Sequence, residues 1–289
     1  MHPIRVLLLV LGLAACAGPR SPATVDTPPT TPLARAAYAE WEAWGRTVIV
    51  GWPDVRPANT SATPERFDML LSYWNTLPGG WRIAQQLANR RAGLTALEQR
   101  INAELAGEGE DGGPVGAPPV IYGLDDIAYY DYPAWSAAFI SSVARRAGVP
   151  ESDLPSSSRH ARYIDAVITR AYSDPEHAAY LPQAPEDYAP VDGDLLCADR
   201  AYVRLPHWTA RIAERGSPRP MHCDVVIRTR DGYVEAIGGN VQGMVALRRF
   251  PVDGQGRVLP APYGRPSFIV ILAARREVAP VAAPVTAAQ

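Results

Sequence analysis

The stretch His222-Cys223-Asp224-Val225-Val226-Ile227-Arg228-Thr229-Arg230-Asp231-Gly232-Tyr233-Val234-Glu235-Ala236-Ile237-Gly238-Gly239-Asn240 decides the fold class. β-Branched and apolar residues flank Asp231-Gly232, a dipeptide that favours the two-residue turn of a β-hairpin. Side chains alternate along a strand, so His222 and Asp224 share one face while Cys223 takes the other. The hairpin sets the start of its first strand beside the end of its second, which brings His222 next to Asn240. Gly238 and Gly239 leave room there for a bulge or a closely approaching backbone.

Apolar runs near 193–198, 243–249 and 266–274 supply the other strands of an antiparallel sheet. Upstream the period is helical. Leu33 to Arg46 carries Tyr38, Trp41 and Trp44 at helical spacing. Thr63-Pro64-Glu65 opens a helix to Leu77 with a capping residue followed by Pro at the first helical position. Pro78-Gly79-Gly80 separates it from a long amphipathic stretch, Trp81 to Leu105. Beyond a Gly/Pro-rich loop at 108–119, helices are expected over Trp135 to Ala147, ended by Gly148, and over Ser158 to Tyr172. Helices first and a sheet afterwards make an α+β protein. The expected plan is an N-terminal helical region at 33–107, the loop, a sheet-bearing domain at 120–275 and a disordered tail at 276–289.

The chain has 289 residues, 47% hydrophobic and 20% charged, enough to bury a core and to exclude global disorder. Its formal charge of −2 gives no electrostatic footprint for nucleic acid. All 28 basic residues are Arg, which reads as a compositional bias rather than a function. Residues 1–15, with Arg5 before the apolar run Val6 to Ala15, describe a secretory signal peptide. The run is shorter than the roughly 20 residues a membrane span needs. Leu13-Ala14-Ala15-Cys16 resembles the bacterial lipobox, which implies lipidation at Cys16 and membrane attachment through that lipid. Ala17 in place of Asp then implies the outer membrane, facing the periplasm. Residues 16–32, rich in Pro, Thr and Ser, form the expected tether. In that oxidising compartment Cys197 and Cys223 either form a disulfide, if their strands are neighbours, or stay as two buried thiols. Neither reads as a nucleophile.

Three short features carry candidate chemistry. Trp135-Ser136-Ala137-Ala138-Phe139-Ile140-Ser141 opens a helix, and Ser136 lies in the first turn, where free N–H groups favour a developing anion. Taken alone, Ser136 reads as a helix cap. His222 opens a strand, and Asn240 can accept from one of its ring nitrogens and fix its tautomer, as orienting groups do in catalytic triads. Taken alone, His222 is a structural histidine and Asn240 a turn residue. Asp224 is a supporting candidate on the face of His222. His160, in Ser158-Arg159-His160-Ala161-Arg162-Tyr163, is a candidate for the rim of the site, or else packs on its own helix. Trp135 and Tyr130, in an aromatic cluster with Tyr122, Tyr129 and Tyr132, either line a groove or pack the helix start. Tyr129 or Tyr130 would then assist an oxyanion. His160, His177, His207 and His222 lack the spacing of a metal site, and no cofactor is expected.

The Trp-Ser-Ala-Ala-Phe-Ile-Ser stretch, Gly193-Asp194-Leu195-Leu196, His222-Cys223-Asp224-Val225-Val226 and Gly238-Gly239-Asn240-Val241 together resemble the bacterial family called domain of unknown function 2272. Their order is also similar to CHAP-type and NlpC-type cell-wall amidases, over roughly residues 120–275. The resemblance implies a papain-like fold, with a helix-plus-antiparallel-sheet core and a nucleophile at the helix start. It implies catalytic roles for Ser136, His222 and Asn240, and a peptidoglycan or cell-wall peptide substrate. The chain departs from those enzymes by placing Ser136 where they have Cys. A thiol is partly ionised near neutral pH, whereas a hydroxyl depends on its base. The expectation is a peptidoglycan amidase or peptidase. The alternatives are a non-catalytic module binding peptidoglycan or a protein, and a serine esterase or acyltransferase.

Overall fold

Asp231 and Gly232 both adopt positive φ, 52° and 78°, and turn the chain between β4 (Met221–Arg230) and β5 (Tyr233–Val241). This is the expected hairpin. The computed structural model describes residues 28–52, 64–107 and 133–275. The signal peptide, Cys16, the loop at 108–119, Tyr122, Tyr129, Tyr130, Tyr132 and the tail from 276 lie outside the described residues.

Around the hairpin stand β1 (Val48–Val50), β2 (Tyr180–Gln183), β3 (Leu195–Asp199), β6 (Met244–Pro251) and β7 (Ser267–Ala274). They form one seven-stranded sheet in the order β1-β6-β5-β4-β3-β7-β2. Five of these strands match the expected runs to within three residues at each end. The sheet is not wholly antiparallel, however, because β1 pairs parallel to β6. Sequence reasoning missed β1 and β2, which are three and four residues long and too short to show an alternation.

The helices are α1 (Pro32–Ala43), α2 (Pro64–Asn75), α3 (Trp81–Gly107), α4 (Ser136–Arg146), α5 (His160–Ser173) and the short α6 (Ala210–Ala213). Five follow the periodicity closely. Thr31 caps α1, its hydroxyl accepting from the Ala34 N–H, and Pro32 occupies the first turn. The Asp192 carboxylate accepts from the backbone N–H and hydroxyl of Thr30 and of Thr31. The last residues of the expected tether are therefore fixed to the domain rather than free.

The region at 33–107 does not stand apart from the sheet. It supplies β1, and Trp41, Trp44, Phe67, Leu70 and Trp74 are buried in one continuous core with Ala138, Ile140, Val225, Ile237, Leu247 and Val270. A second, smaller core on the other sheet face holds Val226, Ala236, Phe250 and Ile271, with Trp52 and Phe268 packed against it.

Cys197 and Cys223 face each other in the β3–β4 register and form a disulfide. Both are fully buried. Closing a loop with a sequence separation of 26 stabilises the fold by about 3–4 kcal/mol in the chain-entropy description. The Cys197→Ala/Cys223→Ala protein is expected to lose about that much in urea unfolding. A midpoint equal to that of the oxidised parent would show that the cross-link adds nothing.

Candidate active site

Helix α4 is aimed by its first residue's neighbour. Trp135 is fully buried and stacks between Trp44 and Tyr73, with ring centroids at 5.4 and 5.7 Å and interplanar angles of 25° in both pairs. Tyr73 accepts from Trp44 Nε1 at 2.8 Å and donates to Glu40, which pairs with Arg146 at the far end of α4. Helices α1 and α2 thus hold both ends of α4. On its other side α4 rests on β5. A Cβ at Gly239 would stand 2.5 Å from Phe139 Cβ and 2.8 Å from the Trp135 ring, so only glycine lets the helix come this close. Trp135 makes no side-chain cap, which leaves the first-turn N–H groups of α4 without that partner.

Ser136 is the first residue of α4, and its Oγ lies 2.6 Å from Nε2 of His160. His160 is in turn the first residue of α5, and its Nδ1 hydrogen-bonds the hydroxyl of Tyr163 one turn on. Ser136 and His160 are each only 5% exposed. Burial holds His160 well below the usual imidazole range, and the neighbouring His222 lowers it further, against the opposing pull of Asp224. At neutral pH its ring is uncharged and one nitrogen carries a lone pair.

His222 is the second residue of β4, its ring centroid 5.4 Å from that of His160. Its Nε2 lies 3.2 Å from Oδ1 of Asp224, on the same strand face as expected. Asp224 is fully buried and also takes the Arg248 guanidinium of β6, through both its Nε and a second nitrogen. Burial alone would raise the Asp224 carboxyl, but Arg248 and His222 outweigh it and hold the group well below the ordinary carboxylate range. The pair spans β5, which lies between their strands. A Cβ at Gly238 would fall 2.0 Å from Asp224 Oδ1, so the first glycine of the Gly238-Gly239 pair opens the path for this bridge. Because Asp224 is a carboxylate, it accepts from Nε2–H and leaves Nδ1 of His222 as an acceptor. Burial lowers His222 below its ordinary value, partly offset by Asp224.

The expected partnerships are therefore drawn differently. Ser136 bonds His160 rather than His222. Asp224, not Asn240, orients His222, while His222 Nδ1 and Asn240 Oδ1 have no hydrogen-bond partner among the described residues. The reason is local. Regular β4–β5 pairing stops at Val225↔Ile237, the β5–β6 register slips between Gly238 and Val241, and Asn240 sits at φ 55°. The Asn side chain is turned away from its expected position, though Asn240 and His222 still line one cavity. Tyr163 and Arg248 were not anticipated. The three-residue spacing of His160 and Tyr163 could have found the first; Arg248 had no signal, since its contact crosses a strand.

Asp194, of the Gly193-Asp194 motif, is structural. Its fully buried carboxylate accepts from the Val191 and Ala274 N–H groups and ties the start of β3 to β7. His177 pairs with Asp174, and His207 with Thr209, away from this cluster. Among the described residues no group of three or more His, Cys, Asp or Glu side chains is placed to hold a metal ion, and no helix is long and apolar enough to cross a membrane.

No curated protein and no solved structure matches the chain. The family model described as an uncharacterized protein conserved in bacteria matches residues 73–272, from the tyrosine that stacks on Trp135 to the last sheet strand. The chain belongs to that bacterial family, DUF2272.

Proposed function

We propose that this is a cell-envelope hydrolase of papain-like arrangement that cleaves cell-wall peptide or amide bonds, with Ser136 as nucleophile and His160 as its base. The observation that carries the reading is the 2.6 Å contact between Ser136 Oγ and His160 Nε2 at the N-terminus of α4. A nucleophile bonded to a neutral imidazole, which a third group orients, is the general form of an activated serine. Tyr163 takes the third place here, and the His222–Asp224 pair stands beside it.

In the reaction the Ser136 oxygen bonds to the carbonyl carbon as its proton passes to His160 Nε2. The first-turn N–H groups of α4 stabilise the oxyanion. Collapse of that intermediate breaks the C–N bond, and His160 returns the proton to the leaving nitrogen. Water, giving its proton to His160, then releases the acyl group and restores the hydroxyl. The chemistry needs no cofactor. The lipobox-like Leu13-Ala14-Ala15-Cys16 supports attachment to the outer membrane, facing the periplasm and peptidoglycan.

A serine-directed fluorophosphonate tests this reading. The full chain is expected to be labelled, with labelling lost in Ser136→Ala and reduced at least a hundredfold in His160→Ala. Labelling together with release of peptide from purified sacculi supports the amidase or peptidase. Labelling with ester turnover alone supports the esterase or acyltransferase. The deep burial of Ser136 favours one other reading, a binding module without catalysis. An unlabelled protein that still sediments with sacculi would establish that reading and overturn the hydrolase.

A further inference from the structure

Where the ends of β3 and β5 meet the starts of β4 and β7, a cavity of about 240 Å³ opens beside His222. Its wall combines two kinds of group that want opposite partners. Three guanidinium side chains, Arg200, Arg248 and Arg265, line it, and among the described residues no carboxylate does. Arg248 is neutralised by Asp224 behind it. Arg200 is exposed, and its side chain has no ion pair or hydrogen bond among the described residues. It stands two residues beyond Ala198, the register partner of His222, and its charge is felt by both histidines.

The second kind of group is an acceptor without a donor. Asn240 Oδ1, Gln242 Oε1 and His222 Nδ1 are buried atoms with no hydrogen-bond partner among the described residues, and all three side chains line this cavity. An unmet buried acceptor costs on the order of 1–3 kcal/mol. The backbone that presents two of them turns sharply here: Gln242 and Gly243, at φ 53° and 80°, make the two-residue turn between β5 and β6, and Asn240 holds φ at 55° two residues before Gln242. Buried acceptors left unmet in this way are groups that a bound ligand can complete.

A ligand that answers both kinds of group carries an anion and N–H donors close together. Inorganic anions lack the N–H groups. We infer that this cavity binds the C-terminal end of a peptide, its carboxylate on Arg200 and the amide N–H groups of its last two residues on Asn240 and Gln242. The inference builds on the proposed hydrolase by naming the end of the substrate held beside the site, but binding here does not require Ser136 to react.

Calorimetry on the full-length Ser136→Ala protein therefore tests it without turnover. The probes are N-acetyl-dialanine, in its L,L and D,D forms, and the matching C-terminal carboxamides. One hand of the free acid is expected to bind at least tenfold more tightly than its carboxamide. Arg200→Gln, an exposed substitution, is expected to weaken the acid at least tenfold and leave the carboxamide unchanged. Asn240→Gly keeps the left-handed backbone and is expected to weaken both. Equal affinity for acid and carboxamide, binding by neither, or equally tight binding of inorganic phosphate would overturn the inference. Binding with these preferences in a protein whose parent is never labelled by the fluorophosphonate removes the hydrolase and leaves the binding site standing.

Discussion

Replacing Asp224 by Ala is expected to destabilise the protein by about 3–5 kcal/mol, the largest loss of any single substitution at this site. The carboxylate is fully buried and holds two partners, Arg248 and His222. Removing it leaves the Arg248 guanidinium, whose side chain is only 16% exposed, without its counter-charge. It also leaves the Nε2–H of His222 without an acceptor, and opens a small void over Gly238. The double variant Asp224→Ala/Arg248→Met removes both charges and is expected to recover much of the loss, because an apolar pair has no uncompensated charge to bury. Urea unfolding of the parent, each single variant and the double variant checks this. A loss below about 1 kcal/mol for Asp224→Ala would mean that the bridge is not a buried one. The same variant would also free His222 to turn, so its effect on labelling of Ser136 separates support of the cluster from stability alone.

Much of this architecture is legible in the order of residues, for physical reasons that differ along the chain. The β4–β5 hairpin announces itself because Asp231-Gly232 supplies two consecutive left-handed residues and the flanking runs are β-branched. The Cys197–Cys223 bridge follows from the strands being neighbours, which the alternation left open until the register was known. The glycines at 238 and 239 read as a place of close approach, and each proves to be one, the first beneath Asp224 and the second beneath Phe139 and Trp135. What could not be read was the pairing of side chains across elements. Ser136 meets His160 because α4 and α5 bring their first residues together, and no sequence period encodes the distance between two helix ends. Arg248 reaches Asp224 over an intervening strand, a contact that depends on the twist and on one missing Cβ. The slip between Gly238 and Val241 likewise turned Asn240 from the partner it was expected to have. Backbone propensities fix the elements, whereas these long-range contacts are settled only by packing.

Acid is expected to lower the stability of this protein over two pH intervals, of which the first begins already below about pH 6.5. His160 is held well below the ordinary imidazole range and His222 below it, in both cases chiefly because burial disfavours the charged ring. Below about pH 6.5 the same histidines in the unfolded chain take up protons while the native ones do not. The unfolded state then binds more protons, so stability falls as pH falls. Each histidine contributes a slope of roughly 1–1.5 kcal/mol per pH unit until its own folded value is reached. Asp224 accounts for the second interval. Its folded value lies well below the ordinary one, so its contribution is whole above about pH 4 and is lost as pH falls further. Urea unfolding at pH 7.5, 6.5, 5.5 and 4.5 reads the first interval directly, and a His160→Gln/His222→Gln protein is expected to show a clearly shallower decline over it. Identical slopes in the two proteins would place the acid sensitivity elsewhere. The same burial bears on the proposed chemistry. A base kept neutral by its surroundings stays ready to accept the Ser136 proton below pH 6.5, so fluorophosphonate labelling is expected to persist into mildly acid solution until unfolding, rather than protonation of His160, ends it.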